Sequence, residues 1–203
     1  MLAILISGRG SNMRSLVEAG LPVAAVISNR ADAAGLEYAR ARGLATEVVE
    51  HRAFATREAF EASLAAAIDR HRPRLLALAG FMRVLTPGFV RRYAGRMLNI
   101  HPSLLPAFPG LDTHARALAA GVKVHGCTVH FVTEALDAGP IVIQAAVRVL
   151  PGDSAATLAA RVLEQEHRIY PRAVRWFLDE RLVIENDTVR VKGDDAQLLL
   201  PPP

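Results

Sequence analysis

Short apolar runs at residues 2–6, 23–27 and 75–79 restrict this chain more than any other feature, and residues 44–49 read as a further strand. Each run is apolar on consecutive residues, so a strand formed there must be covered on both faces. Between the runs lie stretches of helical period. Residues 13–19 and 33–42 read as helices, the second stopped by Gly43. A longer helix is expected over 56–71, where Phe60, Leu64 and Ile68 recur at i, i+4 and i+8, before Pro73 breaks the pattern. Strands that alternate with helices and are apolar on both faces predict an α/β fold with a doubly wound, mostly parallel sheet. Ligands bind such sheets beyond the carboxyl ends of the strands. Three loops therefore matter most: 7–12, 80–85 and 99–106.

After Pro106 the pattern changes. Residues 108–111 read as a turn and 113–120 as a short helix ended by Gly121. Two alternating runs, 125–133 and 141–149, flank a loop containing Gly139 and Pro140, which predicts an antiparallel extension of the sheet. Asp153 and Ser154 cap a helix expected to reach about residue 180, with a kink or restart at Pro171. Residues 181–193 read as a weak strand or hairpin, and 198–203 as a disordered tail.

At 203 residues the chain suits a single domain with a large core. No apolar run approaches the ~20 residues needed to span a bilayer. Residues 1–6 lack the basic flank and cleavage site of a signal peptide, so the expected compartment is the cytoplasm. Cys127 is the only cysteine, which excludes an internal disulfide and a cysteine-rich zinc site, and its apolar setting reads as core. The histidines show no zinc-ligand spacing, and His125 and His130 read as strand residues of opposite facing, so no metal is expected. Net charge is +4, but the arginines are scattered and aromatics are few. An anionic small molecule fits that balance better than nucleic acid.

The loops carry the chemistry. The first apolar run leads into Ser7-Gly8-Arg9-Gly10-Ser11-Asn12 and then a helix, the arrangement in which backbone N–H groups and a helix N-terminus cradle a phosphate. It is neither the dinucleotide fingerprint, whose third glycine would fall at Met13, nor a P-loop. The alternative is a tight turn in which Ser11 or Asn12 caps the helix. In the second loop, Met82, Arg83, Val84 and Leu85 could pack beneath the loop or wall a flat aromatic ligand. In the third, Asn99 and His101 share one face at the end of a strand that Pro102 and Pro106 terminate. An amide N–H can hold a developing oxyanion, and an imidazole can stabilise it or move a proton. Asp137, in the Gly-Pro loop, reads first as a turn-former. Folded towards that strand end, it would keep an imidazole charged or order a water beside it.

The order of these segments, continued by Phe108-Pro109-Gly110-Leu111-Asp112-Thr113-His114 and by Gln165-Glu166-His167, resembles the glycinamide ribonucleotide formyltransferase family over nearly the whole chain. The resemblance implies a Rossmann-like formyltransferase domain with a mononucleotide-binding half over 1–100, a folate and catalytic half over 101–193, and a flexible tail over 194–203. It implies transfer of the formyl group of 10-formyltetrahydrofolate, a co-substrate, to the amine of a ribonucleotide monophosphate in purine synthesis, by direct attack through a tetrahedral intermediate. Asn99, His101 and Asp137 would be catalytic. Gly10, Ser11 and Asn12 would hold the phosphate and Glu166 the glycinamide end. Arg57, Met82, Arg83, Val84, Leu85, Asn99, Thr133, Glu134, Ala135, Leu136 and Asp137 would contact the folate. Leu163 departs from the pattern, which has a polar residue there to reach the ribose. The implied partners are small molecules only, with no nucleic acid or membrane, in a monomer or homodimer. A formyltetrahydrofolate hydrolase and a silent phosphate- or folate-binding module are the alternatives.

Overall fold

In the computed structural model, which describes residues 1–200, the chain divides after Asn99 into two compact units. The first contains β1 (Leu2–Ile6), α1 (Ser11–Glu18), β2 (Val23–Ser28), α2 (Ala34–Ala41), β3 (Thr46–Val48), α3 (Arg57–Arg70), β4 (Leu75–Leu78) and α4 (Pro87–Arg92). β5 (Met97–His101) carries the chain into the second unit. The strands lie in the order β3, β2, β1, β4, β5, and every neighbouring pair is parallel. Ile4 pairs with Val26 on one side and Ala77 on the other, and Leu78 pairs with Asn99. Every residue of β1 and β4 is buried, as runs apolar on both faces require. The order grows outward from β1 to β3, then jumps back to β4, so it reverses between β1 and β4.

α3 follows its sequence signals closely. Thr56 caps it by accepting the Ala59 N–H at 3.1 Å, and Phe60, Leu64 and Ile68 are buried along one stripe. α4 is an element the periodicity did not predict, because six residues make too short a window. Thr86 and Pro87 nevertheless supply its N-cap and first helical position.

The second unit contains α5 (Thr113–Ala119), β6 (Val124–Phe131), β7 (Ile141–Arg148), α6 (Ala155–Leu178), β8 (Leu182–Glu185), β9 (Thr188–Val191) and β10 (Leu198–Leu199). β6 and β7 pair antiparallel, as expected, and β8 and β9 form an antiparallel hairpin. Ser154 caps α6 in a capping box with Thr157. Of the kink or restart expected at Pro171, the restart does not form, because the helix continues through it as one element. Proline removes one helical hydrogen bond, and burial of Ile169, Tyr170, Ala173 and Val174 around it holds the helix together. Leu198 and Leu199, in the stretch expected to be disordered, pair parallel with β7 at Gln144 and Ala145. Residues 201–203 lie outside the described residues. Among the described residues, no helix is long and apolar enough to cross a membrane.

Candidate active site

The reversal of strand order between β1 and β4 directs attention to the loops leaving those two strands. In the first loop Gly10, at φ 72°, is the N-cap of α1, and no side chain caps the helix. The alternative in which Ser11 or Asn12 serves as cap is therefore not what forms. A Cβ on Gly10 would lie 2.9 Å from Met13 Cε and 3.0 Å from Gly35 Cα, so glycine is required for space as well as angle. The positive end of the α1 dipole is uncompensated by a capping side chain, with Ser11 half-buried and Asn12 buried in its first turn.

The loop after β4 is held at both ends. The Met82 N–H donates to Ser7 Oγ at 2.8 Å, and the Thr86 N–H donates to Oε1 of the buried Glu61 at 2.8 Å. The Thr86 hydroxyl also bonds Glu61. Between these anchors Met82 is 64% and Val84 59% exposed, while Phe81 packs beneath. Arg83 Nε is buried with no hydrogen-bond partner. Arg57 is exposed at the start of α3, one turn before Glu61, so it lies on the helix face that grips the end of this loop. This fixed rim of apolar side chains with guanidinium groups suits a flat ligand bearing anionic groups.

In the second unit His101, at the end of β5, is buried. Its Nδ1 lies 3.5 Å from Asp137 Oδ2, and its Nε2 lies 3.0 Å from the Phe108 carbonyl oxygen. Both ring nitrogens face oxygen acceptors, which an imidazolium satisfies by donating from both. Asp137 is half-buried, with its side chain 9% exposed and φ 50°, and its Oδ2 also accepts the Gly110 N–H at 2.8 Å. The third neighbour of the carboxylate is His130, whose Nε2 lies 3.8 Å from Oδ1. Burial lowers the His130 pKa, and its Nδ1–H donates to the Phe131 carbonyl at 2.9 Å, so this ring is neutral beside the carboxylate. His125 packs edge-on against His114 and Phe108, and burial pushes its pKa down to about 4.

The Pro102–Phe108 segment that carries the carbonyl over His101 has its own framework. Ser103 Oγ donates to the Ala107 carbonyl at 2.6 Å. Thr128 Oγ1 donates to the Ser103 carbonyl and accepts the Leu105 N–H, while Gln144 Nε2 donates to the Leu105 carbonyl.

The structure thus brings His101 and Asp137 together and adds three partners that sequence reasoning missed: the His130 ring, the Phe108 carbonyl and the Gly110 N–H. The only available signal was the turn-forming Phe-Pro-Gly run. Asn99 is half-buried two residues before His101 on the same strand. Thr133, Glu134, Ala135 and Leu136 form an exposed loop leading into Asp137, closed by a hydrogen bond from Thr133 Oγ1 to the Ala135 carbonyl at 3.2 Å. Glu166 is buried on α6, near enough to Cys127 for its charge to help push that thiol's pKa up. Leu163 is half-buried on the same helix. Among the described residues, no group of three or more histidine, cysteine or acidic side chains is disposed to hold a metal ion.

Comparison with known proteins places this geometry in context. Residues 1–174 match the formyl transferase family. The chain is 49% identical over 198 residues to a phosphoribosylglycinamide formyltransferase of Escherichia coli K12, covering 95% of this chain and 93% of that one. It is 45% identical to part of the trifunctional purine biosynthetic protein adenosine-3 of Bos taurus, covering 86% of this chain but 18% of that much longer one. Among solved structures, the phosphoribosylglycinamide formyltransferase of Coxiella burnetii in complex with CHES superposes with a TM-score of 0.92 at 45% identity, covering 99% of this chain and 98% of that one. The enzyme of the same name from Brucella melitensis is 54% identical, with a TM-score of 0.83, over 87% of this chain and 94% of that one.

Proposed function

This chain belongs to the formyl transferase family, and from that premise we propose that it transfers the formyl group of 10-formyltetrahydrofolate to the amine of glycinamide ribonucleotide in purine biosynthesis. The observation that carries the mechanism is the buried His101 ring held between the Asp137 carboxylate and the Phe108 carbonyl.

The formyl donor supplies an activated carbonyl, and the chain's own groups do the rest. As the substrate amine attacks the formyl carbon, charge develops on the carbonyl oxygen. The Asn99 amide donates one hydrogen bond to it and the His101 imidazolium a second, through Nε2, with the oxyanion taking the place of the Phe108 carbonyl. Asp137 holds the ring by Nδ1 and balances its charge. The proton leaving the amine passes by way of Asp137, directly or through an ordered water, to the departing folate nitrogen. His130 stays neutral and so does not compete with His101 for the carboxylate's charge.

Binding follows the two sets of loops. The uncapped start of α1, at Gly10, Ser11 and Asn12, would receive the phosphate. The buried Glu166 carboxylate would meet the amine end of the ribonucleotide. Met82, Arg83, Val84 and Leu85 would contact the folate in the first unit, with Arg57 taking the carboxylate tail, and Thr133, Glu134, Ala135 and Leu136 would contact it in the second. A net charge of +4 suits two anionic substrates. We read the two units as serving one reaction, in a cytoplasmic monomer or homodimer that engages no nucleic acid and needs no metal.

The test is loss of the formyl group from 10-formyltetrahydrofolate with and without glycinamide ribonucleotide, for wild type and His101→Ala. Turnover that requires the ribonucleotide and is lost in the variant supports the transferase. Turnover without it would identify a hydrolase, and no turnover under either condition would leave a binding module.

A further inference from the structure

Ser7 is the first residue after β1, and it is buried. Its backbone N–H donates to the Gly80 carbonyl at 3.2 Å, which ties the end of β1 to the start of the loop after β4. Its hydroxyl accepts the Met82 N–H at 2.8 Å and donates its one proton to Asn29 Oδ1 at 2.6 Å. Asn29 is itself fixed. It is buried just beyond β2, and its backbone carbonyl accepts from His51 Nδ1 at 2.8 Å. That bond puts the proton on Nδ1, so the 3.2 Å approach of Asn29 Nδ2 to the same nitrogen is a contact between two donors. The orientation of the Asn29 amide therefore rests on Ser7.

One hydroxyl thus links the ends of β1, β2 and β4 at the reversal of strand order. It is the near anchor of a loop whose far anchor is Glu61 at Thr86. Between the anchors lie Arg83, Val84 and Leu85, and at the near anchor stands Met82. These are the loop residues assigned above to the folate. An exposed apolar loop that must present a rigid wall loses affinity if it has to be ordered at the moment of binding.

We propose that Ser7 is a positioning residue for the formyl donor: by holding the Met82 N–H against the end of β1, it presets the 82–85 loop and sets the donor's affinity without touching it. This rests on the reading that the loop holds the folate. The ribonucleotide contacts assigned to Gly10, Ser11 and Asn12 do not pass through the hydroxyl, so the two substrates respond differently to its loss.

Steady-state kinetics on the full chain, varying each substrate in turn, for Ser7→Ala, Ser7→Cys and Val84→Ala test this. Removing the hydroxyl takes the partner from the Met82 N–H and from Oδ1 of the buried Asn29, so Ser7→Ala is expected to raise the donor KM about tenfold. The ribonucleotide KM should stay within about twofold, because a change in KM reports the substrate whose binding is disturbed. Ser7→Cys places a larger sulfur, a weaker donor and acceptor, at the same point, so it keeps part of the network and should raise the donor KM to a smaller extent, and a thermal melt of both variants separates misfolding from lost positioning. Val84→Ala should raise the donor KM through lost contact alone. An unchanged donor KM in both Ser7 variants while Val84→Ala raises it would overturn the positioning role and leave the loop reading standing. So would equal rises in both KM values or a fall in kcat alone. An unchanged donor KM in Val84→Ala would remove the loop reading itself, and the positioning role with it.

Discussion

His101 has few alternatives for where its ring can point, because a carboxylate and a carbonyl oxygen meet its two nitrogens inside a buried setting. Removing the ring with His101→Ala should lower kcat by ~10²- to 10⁴-fold and leave both KM values little changed. Asp137→Asn isolates the charge, since the amide oxygen can still accept the Gly110 N–H. We expect a fall in kcat of about 10²-fold without unfolding, checked by kinetics beside a thermal melt. Gly139 matters for another reason. A Cβ there would lie 1.9 Å from the Phe131 carbonyl oxygen, so Gly139→Ala must displace the turn that presents Asp137. It should cost about 3 kcal/mol in urea unfolding as well as activity. At this scale Asn99 and His101 were legible because residues two apart on a strand share a face. Their partners were not, because His130 and the Phe108 carbonyl reach Asp137 and His101 through tertiary folding from distant or irregular backbone.

Among the elements, those with a clear apolar run, stop or cap were legible even when short, as α5 shows at Thr113–Ala119 against an expected 113–120. α3 shows a cap, a breaker and an unbroken apolar stripe, and it lies within a residue or so of its expected ends. α4 has too few residues for its period to register, although Thr86 and Pro87 mark its start. Thr86 both caps α4 and gives Glu61 its partners, so Thr86→Ala should destabilise the protein by about 2 kcal/mol in urea unfolding. Pro171 shows tertiary packing outweighing a local preference, since buried neighbours hold α6 continuous where propensity argues for a break. β10 shows the same at the C-terminal end of the chain. Asp195 pairs with Arg172 and Arg181, and Gln197 bonds the Val142 and Val189 carbonyls, so contacts with no sequence signature order a stretch rich in turn-formers.

For the molecule as a whole, buried histidines govern the response to acid. His125 titrates at about 4 in the fold and His114 and His130 are also lowered, all with burial as the main cause, whereas in the unfolded chain each titrates near 6.5. Between those values the unfolded chain binds more protons than the folded one. Stability therefore falls as pH drops from about 6.5 towards 4, by an amount on the order of 3 kcal/mol for His125 alone. Urea midpoints should decline from pH 7.5 to pH 5, and His125→Asn should flatten that decline. The alternation of apolar runs with helical stretches was enough by itself to determine a mostly parallel α/β sheet, because strands covered on both faces and helices with one apolar stripe leave few other solutions. The motif residues likewise marked which strand ends bear chemistry. Only the tertiary structure decided what surrounds them: that both nitrogens of His101 are engaged, that a neutral His130 flanks Asp137, and that Ser7 and Glu61 pin the 82–86 loop. Those contacts join residues about 7 to 75 positions apart, and no local period or propensity encodes which backbone group arrives beside which side chain once the core has closed.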